Sequence, residues 1–211
     1  ACDAEWVALL DDDVRLGPGT LAHWVGVTAA FGVGAVNGVV YSAGESGDAS
    51  GRPAALPSVW PGFSSGVALV RRDLALAAGG FDRRIEGGFG EDYEFGIRLR
   101  RAGTHVLLSA GQPVLHLKSA AGGFRAAYVH PWDGEAVQPK PHPPLLYSRR
   151  KHATPEMQMG YALHYWLKNL SFRSLPGWLW RFRGRRRRWR QAVLWADRLG
   201  MALSGPREDA G

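Results

Sequence analysis

The chain is almost without cysteine: Cys2 stands alone among 211 residues. An internal disulfide framework is excluded, and the composition suits a reducing compartment. Long apolar runs are also missing. None approaches the ~18 residues that a membrane-spanning helix needs, and no signal-peptide pattern opens the chain. These absences direct the reading to a soluble or membrane-surface protein, expected in the cytoplasm or on the inner face of a membrane. No internal repeat is found, so repeat architectures are set aside.

What is present suits a globular domain. The composition is 45% hydrophobic and 21% charged, and 28 glycines imply many tight turns and close backbone approaches. The length allows one sizeable core plus a small second module. The net charge of +7 is unevenly spread. Residues 1–148 hold 12 Lys/Arg against 15 Asp/Glu, whereas residues 149–211 hold 14 against 4. An acidic body suited to a cation thus precedes a basic tail suited to an anionic partner.

The run Trp6 to Leu10, ending in Asp11-Asp12-Asp13, reads as a strand buried on both faces in a parallel sheet. A helix is expected after Gly17-Pro18-Gly19, on the spacing of Leu21, Trp24, Val25 and Thr28, and a strand from Gly34 to Tyr41. Residues 42–62 read as a loop. A strand follows at Gly66 to Val70, then a short helix that Asp73 caps and Gly79-Gly80 ends. Glu91 to Ala102 is expected to be helical. Val106 to Leu108 and Pro113 to Leu115 are expected as two closing strands. This alternation predicts an α/β fold. Residues 129–150 read as a Pro-rich linker between a catalytic part (1–128) and a helical basic tail (151–211). The tail helices are expected at Glu156 to Leu170 and Trp178 to Leu199, with a break at Gly184.

Three features carry chemistry. At the carboxyl end of a parallel strand, where open α/β sheets bind ligands, Asp11 and Asp13 point the same way if the backbone stays extended. They read either as hard oxygen ligands for Mn²⁺ or Mg²⁺ or as a polar strand exit with Asp13 in a turn. Gly87-Gly88-Phe89-Gly90 leads into Glu91-Asp92-Tyr93-Glu94. That carboxylate pair reads either as a general base beside its support or as acidic capping of a helix start. His116, at the end of an apolar run, is either a metal ligand or a hydrogen-bonded structural residue.

In order, Asp11-x-Asp13, Gly79-Gly80-Phe81-Asp82, Gly90-Glu91-Asp92 and His116 resemble the family-2 glycosyltransferases of the GT-A fold. The similarity covers roughly residues 4–125, including Ser64-Ser65-Gly66 through Arg71-Arg72 and the stretch from Asp92 to Gly103. It implies a GT-A mixed sheet flanked by helices, of the non-processive, galactofuranosyl- or rhamnosyltransferase-like kind. The implied reaction is inverting transfer from a nucleotide-sugar donor to a saccharide or lipid-linked acceptor. On this resemblance Asp11, Asp13 and His116 would be metal ligands, Asp92 the base and Glu91 its support. Asp12, Trp60, Ser65, Gly66, Arg72 and Gly90 would contact substrates.

Two departures from the family pattern stand out. The strands that normally precede the DXD segment and bind the nucleobase are missing, and no Met begins the chain; the expectation is a C-terminal portion, inactive alone. No Gln-x-x-Arg-Trp motif occurs, since Arg185 stands where Arg188-Trp189 would need Gln, which argues against a processive synthase. The alternatives are a remnant that keeps the fold without catalysis and a basic nucleic-acid-binding module.

The tail run Arg185 to Arg190, with Trp178, Trp180, Phe182 and Trp195 nearby, suits an acidic membrane surface. Nucleic acid ranks behind that reading. A solvated helix face with Trp residues packed inward is the nearer alternative, ahead of nucleic acid.

Overall fold

The computed structural model describes residues 3–42, 56–85, 90–117, 129–168 and 175–201. The chain divides into two compact units, one of residues 1–82 and 92–127, the other of residues 83–91 and 128–211.

The first unit is α/β, a mixed sheet with helices on both faces. Its elements are β1 (Trp6–Leu10), β2 (Val14–Arg15), α1 (Thr20–Phe31), β3 (Ala35–Ser42), β4 (Ser58–Trp60), β5 (Val67–Arg71), α2 (Arg72–Ala77), α3 (Glu91–Arg101) and β6 (Val106–His116). The strand order is β1-β5-β3-β6-β2, with β4 also paired to β6. Strands β3 and β6 run parallel, while β5 is antiparallel to both its neighbours.

Side chains alternate along β5 as pleating requires. Val67 and Leu69 join Trp24 and Val27 of α1, with Val36, Leu107 and Val114, in one core. Ala68 and Val70 join Phe95 and Leu99 of α3, with Ala35, Phe63 and Val106, in the other. Both faces of the central strands are therefore covered, which explains their continuous apolar runs.

Several expectations are corrected. Among the described residues β1 pairs with β5 alone, antiparallel, and its alternate residues Ala8 and Leu10 are exposed. An apolar run alone does not fix a strand's direction relative to its neighbour. The two closing strands are one continuous β6, because β3 lines its whole length across an irregularity between Gly38 and Val40. Residues 42–62 contain β4, while 43–55 fall outside the described residues. Asp73 lies inside the first turn of α2 and not at its cap, which is Arg71; its Oδ1 accepts from Leu74 N at 2.8 Å.

The second unit is helical: a short 3-10 turn at Arg83–Ile85, then α4 (Pro143–His152), α5 (Pro155–Leu167) and α6 (Leu175–Met201). Ile85, Leu146, Tyr147, Ala192 and Ala196 form its core. The stretch read as a Pro-rich linker thus includes most of α4, whose prolines sit at its first turn, where a missing N–H costs nothing. Gly184 does not break α6. No helix among the described residues is long and apolar enough to cross a membrane.

Candidate functional site

The carboxylates gather where β1 ends. Leu10 pairs with Val67 of β5, and Val14 pairs with His116 of β6, so the three aspartates bridge strands on opposite sides of the sheet. Four residues reach at most ~14 Å, whereas four flat strand spacings need ~19 Å. The sheet must therefore curl at this edge. The pairing agrees: β5 accompanies β3 only to Asn37, and beyond it β3 and β6 continue without β5.

This crossing fixes each aspartate. Asp11 donates its backbone N–H to Gly66 O at 2.8 Å. The two chains are so close there that a Cβ on Gly66 would lie 2.3 Å from Asp11 Oδ2. Asp12 and Asp13 form a turn, so the expected extended geometry does not hold; Asp12 is exposed and Asp13 buried. Because Val14 faces His116, Asp13 Oδ1 comes within 3.2 Å of His116 Nε2, and Asp13 O accepts from Leu117 N at 2.8 Å. Partial desolvation of the carboxyl, on a residue that is otherwise exposed, raises Asp11 above the ordinary aspartate range. The charges of Asp13 and Asp92 raise it further, against the pull of His116.

Asp92 enters this cluster from the first turn of α3. Its Oδ2 accepts from Ser65 N at 3.0 Å, while its Oδ1 is buried without a hydrogen-bond partner among the described residues. One oxygen is held by main chain and the other is unpaired among the described residues. The helix behind it is anchored by Glu94, fully buried, whose carboxylate takes Arg98 Nε and Nη2 at 2.6–2.9 Å.

A residue that sequence reasoning missed shapes the Ser64-Ser65-Gly66 turn. Asn37, 2% exposed, donates to Ser64 O at 2.7 Å and Val67 O at 2.9 Å. Its Oδ1 accepts from Ser64 N at 3.3 Å. The side chain takes over where the β3–β5 ladder stops. Its signal in the sequence is a lone amide in an otherwise apolar strand.

The structure thus brings together Asp11, Asp13, His116, Asp92, Ser65 and Gly66, with Asp12 at the turn. It does not bring in Trp60 or Arg72. Trp60 pairs with Val106, at the opposite end of β6 from His116. Arg72 donates its backbone N–H to Glu5 O, beside the start of β1 rather than its end. Position determines this: both residues sit near the amino end of the parallel strands. Gly90 and Glu91 fall in the second unit, and Gly87 to Phe89 lie outside the described residues.

Among the described residues, no group of three His, Cys, Asp or Glu is arranged to hold a metal ion. The donor chemistry fits a hard cation nonetheless. Mg²⁺-type sites use one or two carboxylates and take their remaining ligands from water and phosphate. Asp11, burdened by two neighbouring carboxylates, is the group that a cation would relieve. His116 is occupied with Asp13.

No family model matches the sequence, and no curated protein matches it. Among solved structures the chain is similar to S. aureus TarS residues 1–349 in complex with UDP-GlcNAc. The identity is 12% and the TM-score 0.48, over 98% of this chain and 54% of that one. The chain therefore spans about half the length of that structure.

Proposed function

We propose that this protein transfers a sugar from a nucleotide-diphosphate sugar to an acceptor hydroxyl with inversion, as a metal-dependent, family-2-like glycosyltransferase of the GT-A kind. The observation that carries the reading is the meeting of Asp11, Asp13 and Asp92 at the carboxyl end of β1, with Asp92 held by Ser65 through one oxygen only.

Asp11 and Asp13 would hold Mn²⁺ or Mg²⁺ by their carboxylates. When bound, the ion supplies charge neutralisation for the departing diphosphate. His116 serves by orienting Asp13, a supporting position rather than that of a third ligand. Asp92 Oδ1 takes the proton of the acceptor hydroxyl, the freed oxygen attacks the anomeric carbon, and the bond to the diphosphate breaks on the opposite side. The Ser65 N–H keeps Asp92 oriented as the proton arrives. The acceptor class suggested by the sequence resemblance is a cell-surface glycan or lipid-linked saccharide.

The test is calorimetric titration of the full-length protein with UDP-, GDP- and dTDP-sugars, in MnCl₂ and in EDTA. Asp11→Ala and Asp13→Ala should abolish metal-dependent donor binding, and Asp12→Ala, at the exposed turn, should weaken it less. Donor affinity that is equal in EDTA and in both outer variants would defeat the metal assignment.

A further inference from the structure

The basic tail does not form a uniform charged face. Within the second unit, α5 and α6 flank a partly open cavity of about 450 Å³, bordered also by the Lys140–Pro141 segment. Among the described residues four cations line it, Lys140, Lys168, Arg185 and Arg188, and none of the lining residues is acidic. None of the four forms an ion pair among the described residues.

The cations are placed rather than scattered. Arg185 and Arg188 are three apart, so they share one side of α6. Arg186 and Arg187, between them in sequence, do not line the cavity. Arg185 Nη1 donates to Trp166 O at 3.3 Å, and Arg188 O accepts from Lys140 N at 3.2 Å, which ties the three segments together. The aromatic wall is fixed as well. Tyr161 and Tyr165 pack on Trp189 with ring centroids 6.3 and 4.8 Å away. Four like charges around one hollow repel each other, and an anion between them turns that repulsion into attraction. The volume exceeds that of a bare phosphate and leaves room for an ester or sugar against the tyrosines.

We propose that this cavity binds a phosphoryl group, phosphate or diphosphate, borne either by a lipid headgroup or by a soluble molecule. Lys140, Lys168, Arg185 and Arg188 contact its oxygens. The site uses none of the carboxylates described above and does not depend on the reaction assigned to them.

Titration of the whole chain with inorganic pyrophosphate in EDTA tests this, because without divalent ions the aspartates cannot hold a diphosphate. Saturable binding is expected. The double variant Arg185→Gln/Arg188→Gln should lose ~10-fold or more in affinity, the scale for removing charge-assisted hydrogen bonds. Arg186→Gln/Arg187→Gln, with the same loss of charge, should stay near the parent. Lys168→Gln, at the exposed end of α5, repeats the test should the first pair not fold. No saturable binding, or equal losses in both arginine pairs, overturns the site in favour of diffuse attraction. Vesicles of phosphatidylglycerol and of phosphatidylcholine identify the source. Phosphatidylglycerol binding lost with the Arg185/Arg188 pair assigns the phosphate to lipid, and vesicle binding indifferent to that pair assigns it to a soluble molecule.

Discussion

The backbone N–H of Ser65 donates to Asp92 Oδ2 at 3.0 Å, joining two positions 27 residues apart. One end is a turn before β5 and the other the start of α3. The carboxylate is therefore oriented by main chain, which stays in place when side chains are exchanged. In the full-length protein, Asp92→Asn should keep the fold and donor affinity while turnover falls by ~10²-fold or more, the scale for losing a general base. Steady-state rates beside calorimetry decide the matter. If turnover survives this change and Glu91→Gln destroys it, the base is Glu91.

Gly66→Ala tests the close approach of β1 to the turn. Its new Cβ would meet Asp11 Oδ2 at 2.3 Å and Asp11 Cγ at 2.7 Å, so the carboxylate has to move. A side chain can rotate away, and the stability loss should stay below ~2 kcal/mol. Metal-supported donor affinity should drop about tenfold, as when a ligand's orientation is disturbed. Unchanged affinity with an unchanged melting temperature would show that Asp11 is not held there.

Arg98→Met should destabilise the first unit by about 3 kcal/mol, because it leaves the fully buried Glu94 charge without its guanidinium. The double variant with Glu94→Gln should recover part of that loss. Urea denaturation of the three proteins gives the comparison, and additive losses would mean the pair is not coupled.

The second unit should weaken in acid. Burial lowers the His142 imidazole below the ordinary histidine range, and the neighbouring His130 lowers it further, against Asp133. Its ring meets His130 at 4.9 Å and Trp132 at 5.3 Å, edge to face. The folded state therefore binds this proton less readily than the unfolded chain does. Stability is complete above about pH 6.5, the ordinary histidine value, and is lost as pH falls through the lower folded value. Melting temperatures from pH 8 to pH 5 should decline less steeply in His142→Gln. Identical slopes would remove His142 as the cause.

Much of this molecule was legible in one dimension. Helix limits such as Gly79-Gly80 and Gly103 come from backbone conformations at positive φ that glycine accepts and other residues resist. The aspartate run after an apolar strand and the acidic start of α3 are local signals as well. The charge imbalance of residues 149–211 needed only counting.

What lay beyond the sequence depends on contacts between distant segments. Trp60 and Arg72 looked like substrate contacts by order along the chain, yet strand register places both at the far end of the sheet. Nothing near Arg185 tells it from Arg186; only packing of α6 beside α5 puts one at the cavity and leaves the other outside. Periodicity, capping and turn chemistry act within a few residues, so the sequence by itself determined the elements and the types of charge they carry. Which strand pairs with which, that Asp13 meets His116, and that Asn37 closes the turn beside Asp92 were decided by tertiary structure, because those contacts exist only once segments tens of residues apart share a core.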